Sequence, residues 1–432
     1  MSWQDDYKKK LKTADEAVKL INSGDRVVVG IGVGPSPVIL EAMTKNHKDY
    51  KGVELVNILP IIATGYLAEG LEPHIRHNSL FVHTPSRKAV NEGYADHTTS
   101  FFYRIPYMWE NDLPVDVTII HVSPPDNHGY CSYGVSVDYL KDATERAKTV
   151  LVQVNKHMPR TLGDCFIHVS DMTCIVEHDQ PLLAVPQPPI GPVEEAIGKH
   201  CASLIKDGDC LQLGFGTIPD AVLKFLKNHK DLGIHTEMFS DGVVDLFNAG
   251  VINNSKKNFN PGKIIATFLL GTQKLYDFVD NNPKVSMHPV TYTNDPFNAG
   301  KNDNLVAINS CIQVDLLGQV SSETIGMTQY SGVGGQVDFV RATAASKGGR
   351  AILTTPSTAK KGAISSIVPI LDEGAAVTTS RNDVHYIVTE HGIANLKNKT
   401  SQDRARALIN IADPKFHDML KEAFKKRFNV GF

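Results

Sequence analysis

The sequence predicts an α/β protein made of two tandem, internally duplicated open domains with mainly parallel sheets, and three observations carry that expectation. The chain has 432 residues, enough for two or three domains that each bury a core of their own. It repeats itself with a period of about 182 to 184 residues, found by laying the chain over itself. Short apolar runs alternate with longer stretches of helical spacing, the β-α-β-α order of a parallel sheet covered by helices.

The first copy opens with a charged turn at Ser23, runs through Val27-Val28-Val29 and ends in Gly30-Ile31-Gly32 followed by Pro35. The second opens at Asp207 and ends in Gly214-Phe215-Gly216 followed by Pro219. Lys45-Asn-His-Lys-Asp49 then recurs verbatim as Lys227-Asn-His-Lys-Asp231. Further on, Gly129-Tyr-Cys-Ser132 parallels Gly318-Gln-Val-Ser321, and the segment from Asp171 to His178 parallels the one from Asp383 to His391. Several matches in the same order are hard to obtain by chance. Val117–Val122, Thr149–Val154, Ala351–Leu353 and Val384–Val388 read as further strands, being short, apolar and rich in β-branched residues. Between the copies, Asp179–Pro192 is proline-rich and disfavours helix and central strand alike. Domains are therefore expected at 1–185 and 193–432. Near the C-terminus, Ser401–Ile411 and Pro414–Arg427 have helical spacing and are expected to pack on and cap the second domain.

Composition narrows the function classes. The formal net charge is −3 and charged residues make up 21% of the chain, so no general positive field favours nucleic acid or an anionic membrane. No apolar run reaches the ~18 residues of a membrane span, and the opening residues lack the apolar region of a secretory signal. A soluble, cytoplasmic protein is expected. Six cysteines are scattered without a C-x-x-C pair, as buried thiols in a reducing compartment would be. The 17 histidines include no H-E-x-x-H, and His235-Thr236-Glu237 lacks the P-C-x-x-C half of a zinc deaminase. No metal is expected.

Several segments hold residues that could carry chemistry. Gly30-Ile31-Gly32 and Gly214-Phe215-Gly216 lie where a strand gives way to a helix, where missing Cβ atoms let a ligand approach the backbone. Proline in place of the third glycine departs from the dinucleotide fingerprint, so a tight turn without ligand is the competing reading. Glu237 follows the second glycine loop by about twenty residues, at an apolar strand end, where an acid can bind a ribose, act as a base or attack as a nucleophile. A solvated carboxylate is its alternative. The loop Ser331-Gly332-Val333-Gly334-Gly335 lacks the lysine of a Walker A motif but can form an amide nest for an oxyanion, or simply reverse the chain. Lys360 and Lys361 offer cations to phosphates or an exposed basic turn. Asn382-Asp383 and Glu390-His391 read as turn and strand-end residues of structural use.

Taken together, the segments Gln212–Ala221, His235–Gly242, Ser331–Phe339 and Thr389–Leu396, with Val122–Gly134 in the first half, resemble the acetyl-CoA hydrolase/transferase family. The likeness is closest to its 4-hydroxybutyrate and butyryl-CoA:acetate CoA-transferases. The resemblance implies two CoA-transferase α/β domains with the active site between them and Glu237 as the glutamate nucleophile. It implies oxyanion and substrate contacts at Gly334 and Gly335. It implies a coenzyme A channel lined by Gln212, Gly214, Phe215, Gly216, Thr217, Ile218, Ile312, Gly335 and Lys360. Coenzyme A would be a substrate, with no tightly bound cofactor, and the partners would be acyl-CoA, short-chain carboxylates and further copies of the chain in a homodimer or higher oligomer. A carboxylate is already ionised at neutral pH, so such a nucleophile needs no Ser-His-Asp arrangement. An acetyl-CoA hydrolase using the same site, and a non-catalytic coenzyme A binder, are the alternatives.

Overall fold

The computed structural model describes residues 2–214 and 216–432, which form two compact units, Met1–Pro186 with Ile265–Thr293, and Gln187–Ile264 with Asn294–Phe432. In the first unit the strands β1 (Arg26–Val29), β2 (Val53–Ile58), β3 (Ile75–Phe81), β4 (Asp96–His97), β5 (Val117–Val122), β6 (Thr149–Val154) and β7 (Cys174–Glu177) make one sheet. Their spatial order is β4-β3-β2-β1-β5-β6-β7 and all pairs are parallel. Strands covered on both faces read as unbroken apolar runs, and all six residues of β5 are buried. The chain leaves β1 toward β2 on one side and reaches β5 on the other, which makes the end of β1 a topological switch point. There, helix α1 (Pro37–Lys45) starts because the Ser36 hydroxyl accepts from the Ile39 amide and Pro37 sits in the first turn. Its apolar face, Ile39, Leu40 and Met43, packs with Val27, Val29, Leu55, Ile119 and Leu151 in one core.

The second unit repeats this plan. Helix α2 (Pro192–Ser203) begins as the proline-rich segment ends. The strands β8 (Cys210–Leu213), β9 (Gly233–Ile234), β10 (Leu305–Ser310), β11 (Arg350–Thr354), β12 (Tyr386–Thr389) and β13 (Gly392–Asn395) lie in the order β9-β8-β10-β11-β12-β13. All pairs are parallel except the terminal hairpin β12-β13. β8 therefore holds the place of β1, flanked by the next strand in sequence and by one reached later. It is followed by α3 (Thr217–Phe225), then α4 (Asp241–Asn248) and α5 (Gln336–Ala345). The C-terminal helices α6 (Ser401–Asn410) and α7 (His417–Phe428) bury Leu408, Ile409, Leu420 and Phe424 in a core with Val314, Leu353 and Ile387. The α/β class and mainly parallel sheets match the sequence expectation.

The division of the chain is more interleaved than a split between 185 and 193. Ile265–Thr293, inside the expected second domain of 193–432, belongs to the first unit. Its backbone is held there by Val137 N–H to Thr267 O at 3.1 Å, Leu269 N–H to Val135 O at 2.9 Å, Met287 N–H to Leu162 O at 2.7 Å and Val290 N–H to Asp138 O at 3.0 Å. Such pairing joins segments more than a hundred residues apart, and no local periodicity encodes it. Among the described residues all six cysteines are buried free thiols and no helix is long and apolar enough to cross a membrane.

Candidate active site

The two glycine loops have the same sequence logic and different surroundings. In the first, a Cβ at Gly30 would lie 2.7 Å from the Ser136 hydroxyl, and one at Gly34 would overlap the same side chain. The Ile31 amide donates to Ser136 Oγ at 3.1 Å. That concavity is filled by the chain's own serine. In the second, Gly216 caps α3 with φ +127°, a backbone conformation reserved for glycine, and among the described residues, its chain neighbours aside, no heavy atom comes within 4 Å of where its Cβ would be. The space is therefore free at Gly216, whereas its counterpart Gly32 has Leu270 and Leu59 at 3.8 and 3.9 Å from where its Cβ would be.

Glu237 is delivered to the same end of the sheet. The His235 amide continues the parallel ladder by donating to Leu211 O at 3.1 Å. The buried Thr236 hydroxyl then accepts from the Leu213 amide at 3.1 Å and donates to Met238 O at 2.8 Å. The half-buried Glu237 side chain therefore emerges beyond the C-terminal end of β9, next to the start of the glycine loop, as ligand sites in open α/β sheets do. Behind it, Lys257 donates to Ile234 O and Lys263 O, each at 2.8 Å, and burial pulls its pKa down to about 8.

The Glu237 carboxylate has specific neighbours. Asn294 Nδ2 donates to Glu237 Oε2 at 2.9 Å and lies 3.3 Å from Asp338 Oδ2. Asn294 and Asp338 are buried. Gly335 precedes α5, and a Cβ there would overlap both Glu237 Oε2 and Asn294 Nδ2. Glycine at 335 is required by this close approach, since its φ of −93° suits any residue; at Gly334 the requirement is the left-handed φ of +52°. The carboxylate so lies at the N-terminus of a ten-residue helix, whose dipole favours negative charge.

The remaining expected site residues divide into groups. The Gln212 side chain is buried and exchanges two hydrogen bonds with Asn309, at 3.3 and 2.9 Å, so its amide braces β8 against β10. Gly214 continues that ladder, donating to Ile308 O at 2.9 Å. Thr217 and Ile218 form the first turn of α3, which is tied toward Glu237: Ser240 Oγ and Gln187 Nε2 donate to Asp220 Oδ1 at 2.8 and 2.7 Å. Burial raises the pKa of Asp220 to about 6. Ile312 is half-buried just past the end of β10, its amide donating to Ser321 O. Lys360 is exposed, in a turn where it and Lys361 both take left-handed φ. Phe215 lies outside the described residues. Glu390 holds structure, accepting from the Ser357 amide and hydroxyl at 2.8 and 2.6 Å. Sequence reasoning missed Asn294, which lies 57 residues from Glu237 in an ordinary-looking Asn-Asp-Pro turn. Among the described residues no group of three or more His, Cys, Asp or Glu side chains could hold a metal ion.

Two family models match the chain, one on each side of the segment that carries Glu237, and the second takes in Asn294, Gly335 and Asp338. Models of the acetyl-CoA hydrolase/transferase N-terminal and C-terminal domains match residues 1–186 and 271–424. The chain belongs to the acetyl-CoA hydrolase/transferase family. Within that family it is 58% identical over 429 residues to a 4-hydroxybutyrate coenzyme A transferase of Clostridium kluyveri, covering 99% of this chain and 100% of that protein. It is 38% identical over 443 residues to a butyryl-CoA:acetate CoA-transferase of Anaerostipes caccae, covering 98% of each. The crystal structure of a 4-hydroxybutyrate CoA-transferase from Porphyromonas gingivalis matches with a TM-score of 0.86 at 41% identity, over 99% of this chain and 100% of that one. This member of the acetyl-CoA hydrolase/transferase family is an acyl-CoA:carboxylate CoA-transferase.

Proposed function

We propose that the enzyme moves CoA from a short-chain acyl-CoA, butyryl-CoA or 4-hydroxybutyryl-CoA, to a carboxylate such as acetate, with Glu237 as the covalent nucleophile. The observation that carries the reading is the Glu237 carboxylate seated against the Gly335 backbone with Asn294 bound to one of its oxygens. The names of the relatives at 58% and 38% identity support the substrate classes.

Glu237 Oε1 attacks the thioester carbonyl, a C–O bond forms, the C–S bond breaks and CoA leaves as thiolate. The thiolate then attacks the glutamyl carbonyl of the resulting anhydride, expelling the free acid and leaving a glutamyl-CoA thioester. An incoming carboxylate runs the two steps in reverse, so the kinetics are ping-pong. Each step passes through a tetrahedral oxyanion, and losing one good donor to such a centre costs about 3 to 4 kcal/mol. Amides around Gly334 and Gly335 are suited to the oxyanion on the acyl group. Asn294 Nδ2, already on Glu237 Oε2, is suited to the one that forms on the glutamate itself. The free space beside Gly216, with Thr217 and Ile218, would take the CoA chain, and Ile312 and Lys360 would assist there. Binding energy from that remote part of the substrate can be used to orient the thioester.

The test is the mass of the protein after incubation with butyryl-CoA and no acceptor, with and without borohydride. Covalent CoA on the peptide bearing Glu237, or that glutamate reduced to the alcohol, is the expected result, and Glu237→Ala should show neither while losing turnover. An adduct on another residue, or turnover that survives Glu237→Ala, overturns the assignment. Steady release of CoA without acceptor would favour the acetyl-CoA hydrolase reading.

A further inference from the structure

Asn294 Nδ2 carries two hydrogens, and the two oxygens nearest to it belong to different carboxylates, Glu237 Oε2 at 2.9 Å and Asp338 Oδ2 at 3.3 Å. Glu237, ionised as a nucleophile has to be, only accepts, so the amide end that faces it must be the NH2 group. The two acceptors differ in what happens to them during turnover. Under the reading proposed above, Glu237 becomes an anhydride and then a thioester, and its oxygen is for much of the cycle a neutral carbonyl, a weaker acceptor than a carboxylate. Were the amide to turn over at those stages, Asn294 Oδ1 would face the oxyanion that forms next. Asp338 is consumed in no step, is 1% exposed and is held in the first turn of α5, directly after Gly335.

We infer that Asp338 is a positioning residue, which keeps the Asn294 amide turned with its NH2 group toward residue 237 while that residue is covalently occupied. This rests on Glu237 being the nucleophile and adds to that reading a buried anchor that touches no substrate.

The experiment is a double-mutant cycle on the full chain, with kcat and KM measured for butyryl-CoA and acetate in Asn294→Ala, Asp338→Ala and the double variant. Asp338→Ala should lower kcat by about 10- to 100-fold, with KM for butyryl-CoA within about threefold of wild type, as expected when a transition-state interaction alone is lost. The double variant should be no slower than Asn294→Ala, because Asp338 acts through Asn294. If Asp338→Ala fails to fold, Asp338→Leu supplies the same cycle: it fills the space without offering an acceptor, so it should also lower kcat and should also add nothing to Asn294→Ala. A double variant slowed by the product of the two single losses, or an Asp338 variant with wild-type kcat, overturns the inference. Glu237→Ala assayed alongside separates the two failures. An inactive Glu237→Ala with a multiplicative cycle removes only the role of Asp338, whereas an active one removes the nucleophile and this inference with it.

Discussion

The absence of one carbon atom at Gly335 decides whether Glu237 can sit where it does. Gly335 has a φ of −93°, so alanine would suit the backbone and collide first with the Glu237 carboxylate and the Asn294 amide. Gly335→Ala is therefore expected to leave the thermal midpoint nearly unchanged and to reduce kcat by about 100-fold, the loss that a displacement of roughly 1 Å at a reacting centre brings. A kcat within threefold of wild type would show that the carboxylate does not work against this stretch of backbone. Glu237 and Gly335 could each be picked out from their own segments, an acid at a strand end and a glycine before a helix. Their contact could not, because nothing in either segment specifies the other. Asn294 was beyond reach for a plainer reason: an asparagine before Asp-Pro has the chemistry of a turn, and only its place beside Glu237 gives it more.

Among the elements, the two strand–glycine–helix units show how one sequence pattern serves two purposes. After β1 Ser136 fills the space beside Gly30 and Gly34, while after β8 the space beside Gly216 is free of other described residues, its chain neighbours aside. Paired substitutions separate these uses. Gly216→Ala meets no steric obstacle but must hold φ at +127°, which costs on the order of 2 kcal/mol, and by displacing the loop it should raise KM for acyl-CoA about tenfold. Gly30→Ala would press on the Ser136 hydroxyl at 2.7 Å and should lower stability while leaving KM within about twofold. Unfolding midpoints and KM for butyryl-CoA, measured on both variants, check the pair. Equal effects on KM would remove the distinction between the loops. The strand and helix assignments themselves were open to sequence reasoning because apolar β-branched runs and a Ser-Pro helix start act within a few residues. The filling of the first loop depends on Ser136, over a hundred residues further along the chain.

For the molecule as a whole, buried charge sets how stability follows pH. Asp138 is fully buried, accepts from Ser136 Oγ and the Leu140 amide, and burial raises its pKa from the ordinary carboxylate range to about 7. Because the folded state holds this proton more tightly than the unfolded one, its stabilising effect is complete below about pH 4 and is lost as pH rises through about 7. Asp138→Asn, which keeps the shape and suits the positive φ of 26° there, should gain on wild type across that window by on the order of 4 kcal/mol. Thermal midpoints of the two proteins at about pH 5 and about pH 8 check it, and a difference that does not grow with pH would mean that Asp138 is not protonated in the fold. The duplicated α/β plan, the proline-rich divide and the segments that hold Glu237 and its glycines follow from the sequence by itself, since periodicity, turn chemistry and repetition are written over short stretches of chain. The return of Ile265–Thr293 to the first unit, the filling of one glycine loop, and the meeting of Glu237, Asn294 and Asp338 were decided only by tertiary structure. Each joins residues too far apart for local preference to act on, and each exists only once the sheets have formed and brought them within hydrogen-bond reach.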